Sequence, residues 1–134
     1  MASPPEALRV ALRSERGVWT VPAVPGEIVR LGFRHSVYGS AVEEEFRLEA
    51  GGLRLVRLRY GEARLAEFYS HERARRDGNW WIVDADPCLH ASIIVRVSRD
   101  GAMRLTTRET AIDLSECVEA GGRVRVSVMD ATAA

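Results

Sequence analysis

The residue types best suited to chemistry lie close together between positions 28 and 48, where His35, Ser36 and Glu44 occur. A histidine next to a carboxylate can transfer protons, and both side chains are common metal ligands. A serine, a histidine and a glutamate are also the side chains of one kind of nucleophilic triad. What these residues can do depends on whether the surrounding chain brings their side chains together.

Alternation of apolar and polar residues predicts two antiparallel β-strands over this stretch. Pairing Val37 with Val42 across the four-residue loop 38–41 gives a hairpin of a common length. In that register His35 faces Glu44 on the apolar side, with Cβ atoms about 4.5–5.5 Å apart. A carboxylate among apolar residues is costly unless it is paired, so we expect these two side chains to bond to each other.

The opposite face of the same hairpin is polar and supports this register. Arg34 faces Glu45 there, so opposite charges meet across the strands, and Ser36 faces Glu43. Ser36 then points away from His35, because neighbouring residues of a strand point to opposite faces. The pattern therefore argues against a Ser-His-Glu triad.

Three roles are open for the predicted pair of His35 and Glu44. The favoured role is structural: a buried pair whose members satisfy each other and fix the hairpin. The second role is a polar end of the core that opens to a small ligand or a partner. The third is acid–base catalysis or metal binding, for which His71 with Glu72 or Glu67 would supply the further ligands.

Other residues with reactive or aromatic side chains are expected to be structural. Trp80 and Trp81 are neighbours on a strand, so one is predicted to lie in the core and the other at a surface or edge. Cys88 and Cys117 are too few for a disulfide scaffold and are predicted to be structural, either as one bridge in an oxidising compartment or as two free buried thiols. The sequence contains no phosphate loop, nucleophile elbow or dinucleotide fingerprint, so we expect no cofactor and no metal.

The charge composition argues against nucleic acid as a partner. Nineteen basic residues, all of them arginine, balance nineteen acidic residues. The arginines are spread along the sequence, so no net field favours nucleic acid or an anionic membrane. The oligomeric state is left open by the sequence.

Short alternating segments separated by Gly and Asp turns predict an all-β fold. We expect a small sandwich or partly open barrel of about nine short, mainly antiparallel strands. The chain of 134 residues fits one domain. We predict a tail over residues 1–7, a single β domain over 8–130 and a second tail over 131–134.

Three segments give more detailed predictions. In the strand 53–60 the apolar phase slips by one residue after Leu55, which indicates a β-bulge or a strand that changes sheets. The segment 62–72 suits a helix or a strand, and we prefer the strand. After a break at Pro87, residues 89–97 show the cleanest alternation and predict one continuous strand.

The N-terminal residues do not predict export. No segment is long enough to span a bilayer. Pro4, Pro5 and Glu6 stand where a signal peptide would need basic residues followed by an apolar run. As the sequence stands, we expect a cytoplasmic protein; an N-terminal segment missing from it would permit an extracytoplasmic location.

The hairpin sequence from Phe33 to Phe46 reads FRHSVYGSAVEEEF. It resembles the signature of an uncharacterised bacterial family, domain of unknown function 1850, which has an aromatic residue, then His-Ser-Val, then a glutamate on the following strand. His35, Ser36 and Glu44 fall on that signature. The likeness covers about residues 8–129 and continues through the segments Pro25-Gly26, Gly51-Gly52-Leu53 and Glu67-Phe68-Tyr69.

The resemblance implies a genomic and physical link to tripartite (TRAP) transporters of the TAXI type, which use an extracytoplasmic solute receptor and a membrane permease. It assigns no catalytic residue. We therefore expect a non-enzymatic accessory domain that binds the permease, the receptor or the solute. The candidate binding residues are His35, Ser36, Glu44 and Tyr69. The alternatives are a small hydrolase or metal-dependent enzyme that uses His35 and Glu44, and a plain protein-interaction module.

Overall fold

The architecture was determined from a computed structural model that describes residues 7–68, 74–100 and 102–130. Within them, eleven strands, one short α-helix and one 3-10 turn follow each other along the chain. The strands are β1 Leu8–Ser14, β2 Gly17–Ala23, β3 Ile28–Arg34, β4 Ala41–Glu49, β5 Gly52–Tyr60, β6 Arg75–Asp77, β7 Trp80–His90, β8 Ser92–Arg96, β9 Arg104–Thr106, β10 Ala111–Asp113 and β11 Arg123–Asp130; the helix α1 is Ala63–Phe68 and the 3-10 turn is Leu114–Glu116.

The strands form two antiparallel sheets. The smaller sheet has the strand order β2-β1-β11-β8, and the larger has the order β10-β9-β3-β4-β5-β7-β6. This arrangement confirms the predicted all-β sandwich, with more strands than the roughly nine expected. The two sheets pack their apolar faces together, since the main core contains buried residues from both. Among its members are Leu8, Val10, Leu12, Val29, Leu31, Phe46, Leu48, Leu53, Leu105, Val124 and Val126.

A second, smaller apolar cluster lies under α1 at one end of the larger sheet. Tyr60, Leu65 and Ala66 are buried in it, together with Val42 and Val83. Leu65 is fully buried, which shows that α1 is held by tertiary packing. A six-residue helix has little stability of its own in water. The strand preferred for residues 62–72 is therefore wrong over Ala63–Phe68, and residues 69–72 lie outside the described part of the chain.

The register predicted for the β3–β4 hairpin is wrong. Leu31, not His35, lies opposite Glu44, so the pairing is displaced by four residues. The loop lies nearer the N-terminus than expected, at residues 36–39 in place of 38–41, because His35 donates its N–H to the Ser40 carbonyl and Gly39 donates to the carbonyl of His35. Gly39 has a φ of 70°, which the turn requires and glycine adopts without strain. Since the displacement is an even number, every residue keeps its predicted face.

The phase slip in β5 is a β-bulge, as predicted. Glu45 pairs with Arg57 while Phe46 pairs with Leu55, so Val56 has no opposite residue on β4. The pairing of β5 with β7 is also interrupted between Leu55 and Arg57. A bulge increases the local twist of the strand, which explains the change of apolar phase seen in the sequence.

The strand predicted over residues 89–97 is divided between the two sheets. β7 continues to His90 at the larger sheet, and β8 begins at Ser92 in the smaller sheet. Pro87 does not end β7 as expected. It lies where the pairing with β5 is already interrupted, so the missing N–H of proline costs no ladder hydrogen bond there.

Candidate functional site

His35 is buried at the base of the β3–β4 loop and bonds to the loop itself. Its side chain is 6% exposed. The backbone N–H groups of Val37 and Tyr38 donate to its Nδ1 atom, at 3.2 and 3.3 Å. Because Nδ1 accepts both bonds, the proton of the neutral ring lies on Nε2. The imidazole also stacks on the ring of Tyr38 at a centroid distance of 5.3 Å. Among the described contacts, His35 thus bonds to the loop amides, and the predicted pair with Glu44 is not formed in this register.

Glu44 lies on the inner face of the larger sheet, between Leu31 of β3 and Leu58 of β5. The pair of Glu44 with Leu31 and the pair of His35 with Ser40 are four residues apart along the strands. This spacing corresponds to about 13 Å along the sheet. Burial raises the pKa of the Glu44 carboxyl above its usual value. The structure thus separates the two residues on which the enzyme alternative depends.

The other two candidate residues have different positions. Ser36 is exposed in the loop and lines a groove. Tyr69 lies outside the described residues. Among the described contacts, Ser36 does not lie next to Glu44.

A polar cluster that the sequence did not reveal joins the hairpin loop to the start of α1. The Ser40 hydroxyl and Arg64 both donate to the carboxylate of Glu62. The hydrogen bonds from Arg64 and from Ser40 lower the pKa of Glu62. Arg64 also lies 4.3 Å above the ring centroid of Tyr38. These contacts connect the hairpin loop to the start of the helix.

Two adjoining grooves meet at Arg34, the last residue of β3. One has a volume of about 450 Å³ and lies on the outer face of the larger sheet. The other, of about 370 Å³, lies between the β3–β4 loop and residues 98–100. The first is lined by Gly32, Phe33, Arg34, Ala41, Val42, Glu43, Trp80, Ala102, Arg104 and Thr106, and the second by Arg34, His35, Ser36, Gly39, Ser98, Arg99 and Asp100. We call these the Arg34 grooves.

The charges that line the Arg34 grooves are mainly positive. Arg34, Arg99 and Arg104 are exposed, and none forms an ion pair with a carboxylate of the described residues. Glu43 is already paired with Arg59 at 3.3 Å. Asp100 is the remaining acidic residue of the lining. Arg104 lies opposite Asp113 of β10, whose pKa is lowered by hydrogen bonds from Ser115 and, to a smaller extent, by the charge of Arg104. The grooves therefore offer the guanidinium groups of Arg34 and Arg99, with that of Arg104 beside them, to a negatively charged ligand.

Trp80 and Gly32 shape the larger groove. Arg59 lies 4.5 Å from the ring centroid of Trp80, which fixes the indole on the outer face. Its neighbour Trp81 packs instead against the second cluster, so the prediction that the two rings face opposite ways is confirmed. Gly32 leaves space for a side chain, since the nearest atom to a Cβ built there is 3.9 Å away.

A ladder of alternating charges lies beside the larger groove and crosses the same sheet. Glu45 is 2% exposed and is surrounded by three arginines. Its carboxylate is 3.2 Å from Arg30, 3.5 Å from Arg57 and 4.0 Å from Arg59. Asp84 continues the ladder, because it pairs with Arg57 at 3.8 Å and with Arg75 of β6 at 2.8 Å. Cross-strand ion pairs of this kind hold neighbouring strands and their side chains in place.

A third groove, of about 410 Å³, is formed around the Pro25-Gly26 turn and Arg108. The carboxylate of Glu27 in this groove accepts hydrogen bonds from the backbone N–H groups of Val24 and Arg108, at 3.2 and 2.9 Å. These contacts fix the turn against the β9–β10 connection. We interpret this groove as a structural feature.

Metal and thiol chemistry find no support in the described part of the chain. No three His, Cys, Asp or Glu side chains are grouped there to hold a metal ion. Both cysteines are free: Cys88 is exposed and Cys117 is buried. Burial raises the pKa of the Cys117 thiol, which keeps it protonated and unreactive.

Comparisons with known proteins add no assignment. No family model, curated protein or solved structure matches this chain. Within the described residues, no helix has the length and apolar character needed to cross a membrane.

Proposed function

We propose that this protein is a non-enzymatic binding domain that serves a TAXI-type TRAP uptake system and binds a negatively charged group in the Arg34 grooves. One observation supports this most: Arg34, Arg99 and Arg104 line joined grooves without ion-pair partners among the described residues. A guanidinium group donates several hydrogen bonds in a fixed plane, which suits carboxylate, phosphate or sulfonate groups.

The surroundings of the grooves favour binding over catalysis. Trp80 offers an apolar surface beside the arginines, so a ligand with a charged end and an apolar body fits the larger groove. The acid–base alternative requires His35 and Glu44 to act together. His35 instead bonds to the loop amides, and its register position is distant from Glu44.

The association with a TRAP system is proposed from the likeness of the hairpin sequence FRHSVYGSAVEEEF to its family signature. Its test is co-purification of the tagged chain with the permease and the solute receptor expressed together. Retention of either component on the tagged protein is expected. Failure to retain both, with the chain folded, would contradict the association while leaving ligand binding in the grooves to be judged separately.

The ligand proposal is tested by thermal-shift and calorimetric measurements against a panel of organic carboxylates, phosphates and sulfonates. Replacing Arg34 by Gln removes the guanidinium shared by both grooves, and we expect about tenfold or more weaker binding of any compound that binds the wild type. Gly32→Val fills the floor of the larger groove at a position with space for a side chain, and is expected to weaken binding without unfolding.

Arg47→Gln is the matched control for Arg34→Gln. Arg47 is exposed on β4 of the same sheet and lines neither groove. We expect it to leave binding unchanged. Equal losses in Arg34→Gln and Arg47→Gln would contradict the proposed site, because they would indicate a diffuse effect of net charge.

A further inference from the structure

The outer face of the smaller sheet contains arginines without acidic neighbours. Because side chains alternate along a strand, this face is formed by every second residue of β1, β2, β8 and β11. Five arginines lie on it, and all are exposed. They are Arg9, Arg13, Arg96, Arg123 and Arg125, and we call this surface the arginine face.

Two pairs of these arginines are directly opposed across neighbouring strands. Arg13 of β1 lies opposite Arg125 of β11, and Arg123 of β11 lies opposite Arg96 of β8. The Cα atoms of such pairs are about 4.5–5.5 Å apart, well within the screening length of physiological salt, which is about 8 Å. Like charges placed this way destabilise a sheet. The fold therefore retains repulsion on this face that a partner of opposite charge would relieve.

No described carboxylate neutralises the arginine face. The ion pairs of the described residues all involve other arginines. Among the described contacts, Arg9 and Arg125 donate to hydroxyl groups, those of Thr20 at 3.4 Å and Ser92 at 3.0 Å. The outer face of the larger sheet differs, because it contains the ladder of alternating charges around Glu45 beside the arginines of the Arg34 grooves. On the outer face of the smaller sheet, by contrast, no described carboxylate forms an ion pair with any of the five arginines.

We infer that the arginine face binds the surface of a membrane rich in anionic lipid. Two exposed aliphatic side chains, Val18 and Ile94, lie among the arginines, with 54% and 57% of their surface accessible. Such side chains can enter the headgroup region of a bilayer while guanidinium groups bind lipid phosphates. The surface spans four strands, or about 14 Å from edge to edge, and is broad enough to lie against a bilayer.

Nucleic acid fits this surface less well than lipid. Single strands are bound largely by stacking of bases on aromatic side chains, and the arginine face has none. Trp19, the aromatic residue of β2, packs against the main core instead. Duplex DNA is read by a helix or a two-stranded ribbon that enters a groove, and a flat sheet face offers neither.

Binding through the arginine face sets the orientation of the whole domain. The two sheets of a sandwich have their outer faces on opposite sides. The larger Arg34 groove lies on the outer face of the other sheet. A domain bound to lipid through the smaller sheet therefore presents that groove away from the membrane, where a solute or a second protein can reach it.

Flotation of the full chain with vesicles tests the inference. Vesicles of pure phosphatidylcholine are compared with vesicles that contain phosphatidylglycerol, at low and at physiological salt. We expect binding to the anionic vesicles only, decreasing as salt rises. Replacing Arg123 and Arg125 by Gln is expected to weaken binding about 30-fold, from the contribution of about 1 kcal/mol per arginine at such a surface.

Two further variants keep the test decisive. Arg47→Gln with Arg108→Gln removes two exposed arginines outside the arginine face and is expected to leave binding unchanged. Arg9→Gln with Arg96→Gln removes two from other strands of the face and is expected to match the first double variant, so a folding defect in one does not decide the outcome.

Three results would overturn the inference. The first is equal flotation with neutral and anionic vesicles. The second is an equal loss of binding in the control variant and in the variants of the arginine face. The third is tighter binding to duplex DNA or to polyglutamate than to anionic vesicles at the same salt, which would identify a different polyanion as the partner.

Discussion

One ring nitrogen of His35 accepts two backbone N–H groups, and this arrangement determines the shape of the β3–β4 loop. An Asx turn satisfies loop amides in the same way with a short polar side chain. The histidine does so while its ring is buried and also stacks on Tyr38. The sequence pattern marks His35 as a catalytic candidate. Its hydrogen bonds to the loop amides give a structural reason for a histidine at this position.

We predict that His35→Ala lowers the free energy of unfolding by about 1–2 kcal/mol, because two loop N–H groups lose their acceptor. His35→Asn, which can accept from the same amides, is expected to recover part of the loss. Urea unfolding curves of the two variants provide the comparison. Ser36→Ala, at an exposed position of the same loop, serves as the control and should change little. If His35→Asn lowers the free energy of unfolding as much as His35→Ala does, Nδ1 does not stabilise the loop as an acceptor.

The sequence predicted that His35 and Glu44 lie on the apolar face, but not which residues they face. Alternation determines the face of a strand and is unchanged by an even shift in register. The register depends on the position of the loop, which is set by the bonds between His35, Gly39 and Ser40. The apolar pattern of the sequence does not reveal those bonds. His35 and Glu44 were therefore predicted to face each other, although the observed loop places them at different positions along the sheet.

Among the strands of the larger sheet, the charge ladder links neighbouring elements through Glu45. Removal of one partner from a fully buried ion pair costs about 3–5 kcal/mol. The side chains of Arg30 and Arg57 are 41% and 43% exposed, so water compensates for part of that loss. We predict that Glu45→Gln lowers the free energy of unfolding by about 1–2 kcal/mol.

Glu49→Gln is the control for the ladder, since it breaks the partly exposed pair with Arg54 on the same sheet, in which Glu49 is less buried than Glu45. Guanidinium chloride is unsuitable because its ions screen charge, so unfolding is measured in urea at low salt. We expect Glu49→Gln to lower the free energy of unfolding less than Glu45→Gln does. Equal losses would show that burial of Glu45 adds nothing to its ion pairs.

Elements differ in how well their sequence specifies them. The bulge at Val56 was visible because it changes the apolar phase of a long strand. The helix α1 was not visible in the sequence, because six residues are too few to show a helical period. Its formation depends on burial of Leu65. The division of residues 89–97 between two sheets was hidden for a related reason: alternation continues through Ala91 although the strand changes sheets.

For the molecule as a whole, a net charge of zero conceals an uneven distribution of charge. The arginines of the arginine face lie at both ends of the sequence and near residue 96, so no cluster was visible in the sequence. The strand order β2-β1-β11-β8 brings them together. Topology, which composition does not reveal, thus creates the surface from which membrane binding is inferred.

The molecule also has two apolar clusters, and Glu44 lies at their junction. On the inner face of β4, Val42 belongs to the second cluster and Phe46 to the main core, with Glu44 between them. Burial without an ion-pair partner among the described residues raises the pKa of Glu44 above its ordinary value of 4.5. The ionised carboxylate is therefore a destabilising group in the middle of the inner face.

We predict that Glu44→Gln raises Tm at pH 7 and that the difference disappears below pH 4.5. A raised pKa in the folded state means that the folded protein binds this proton more tightly than the unfolded chain, so stability is lost as pH rises from 4.5 through the raised pKa. The neutral amide avoids that loss. Thermal unfolding across this pH range, with the exposed Glu109→Gln as the control, provides the measurement. A lower Tm for Glu44→Gln at pH 7 would instead show that the ionised carboxylate stabilises the junction.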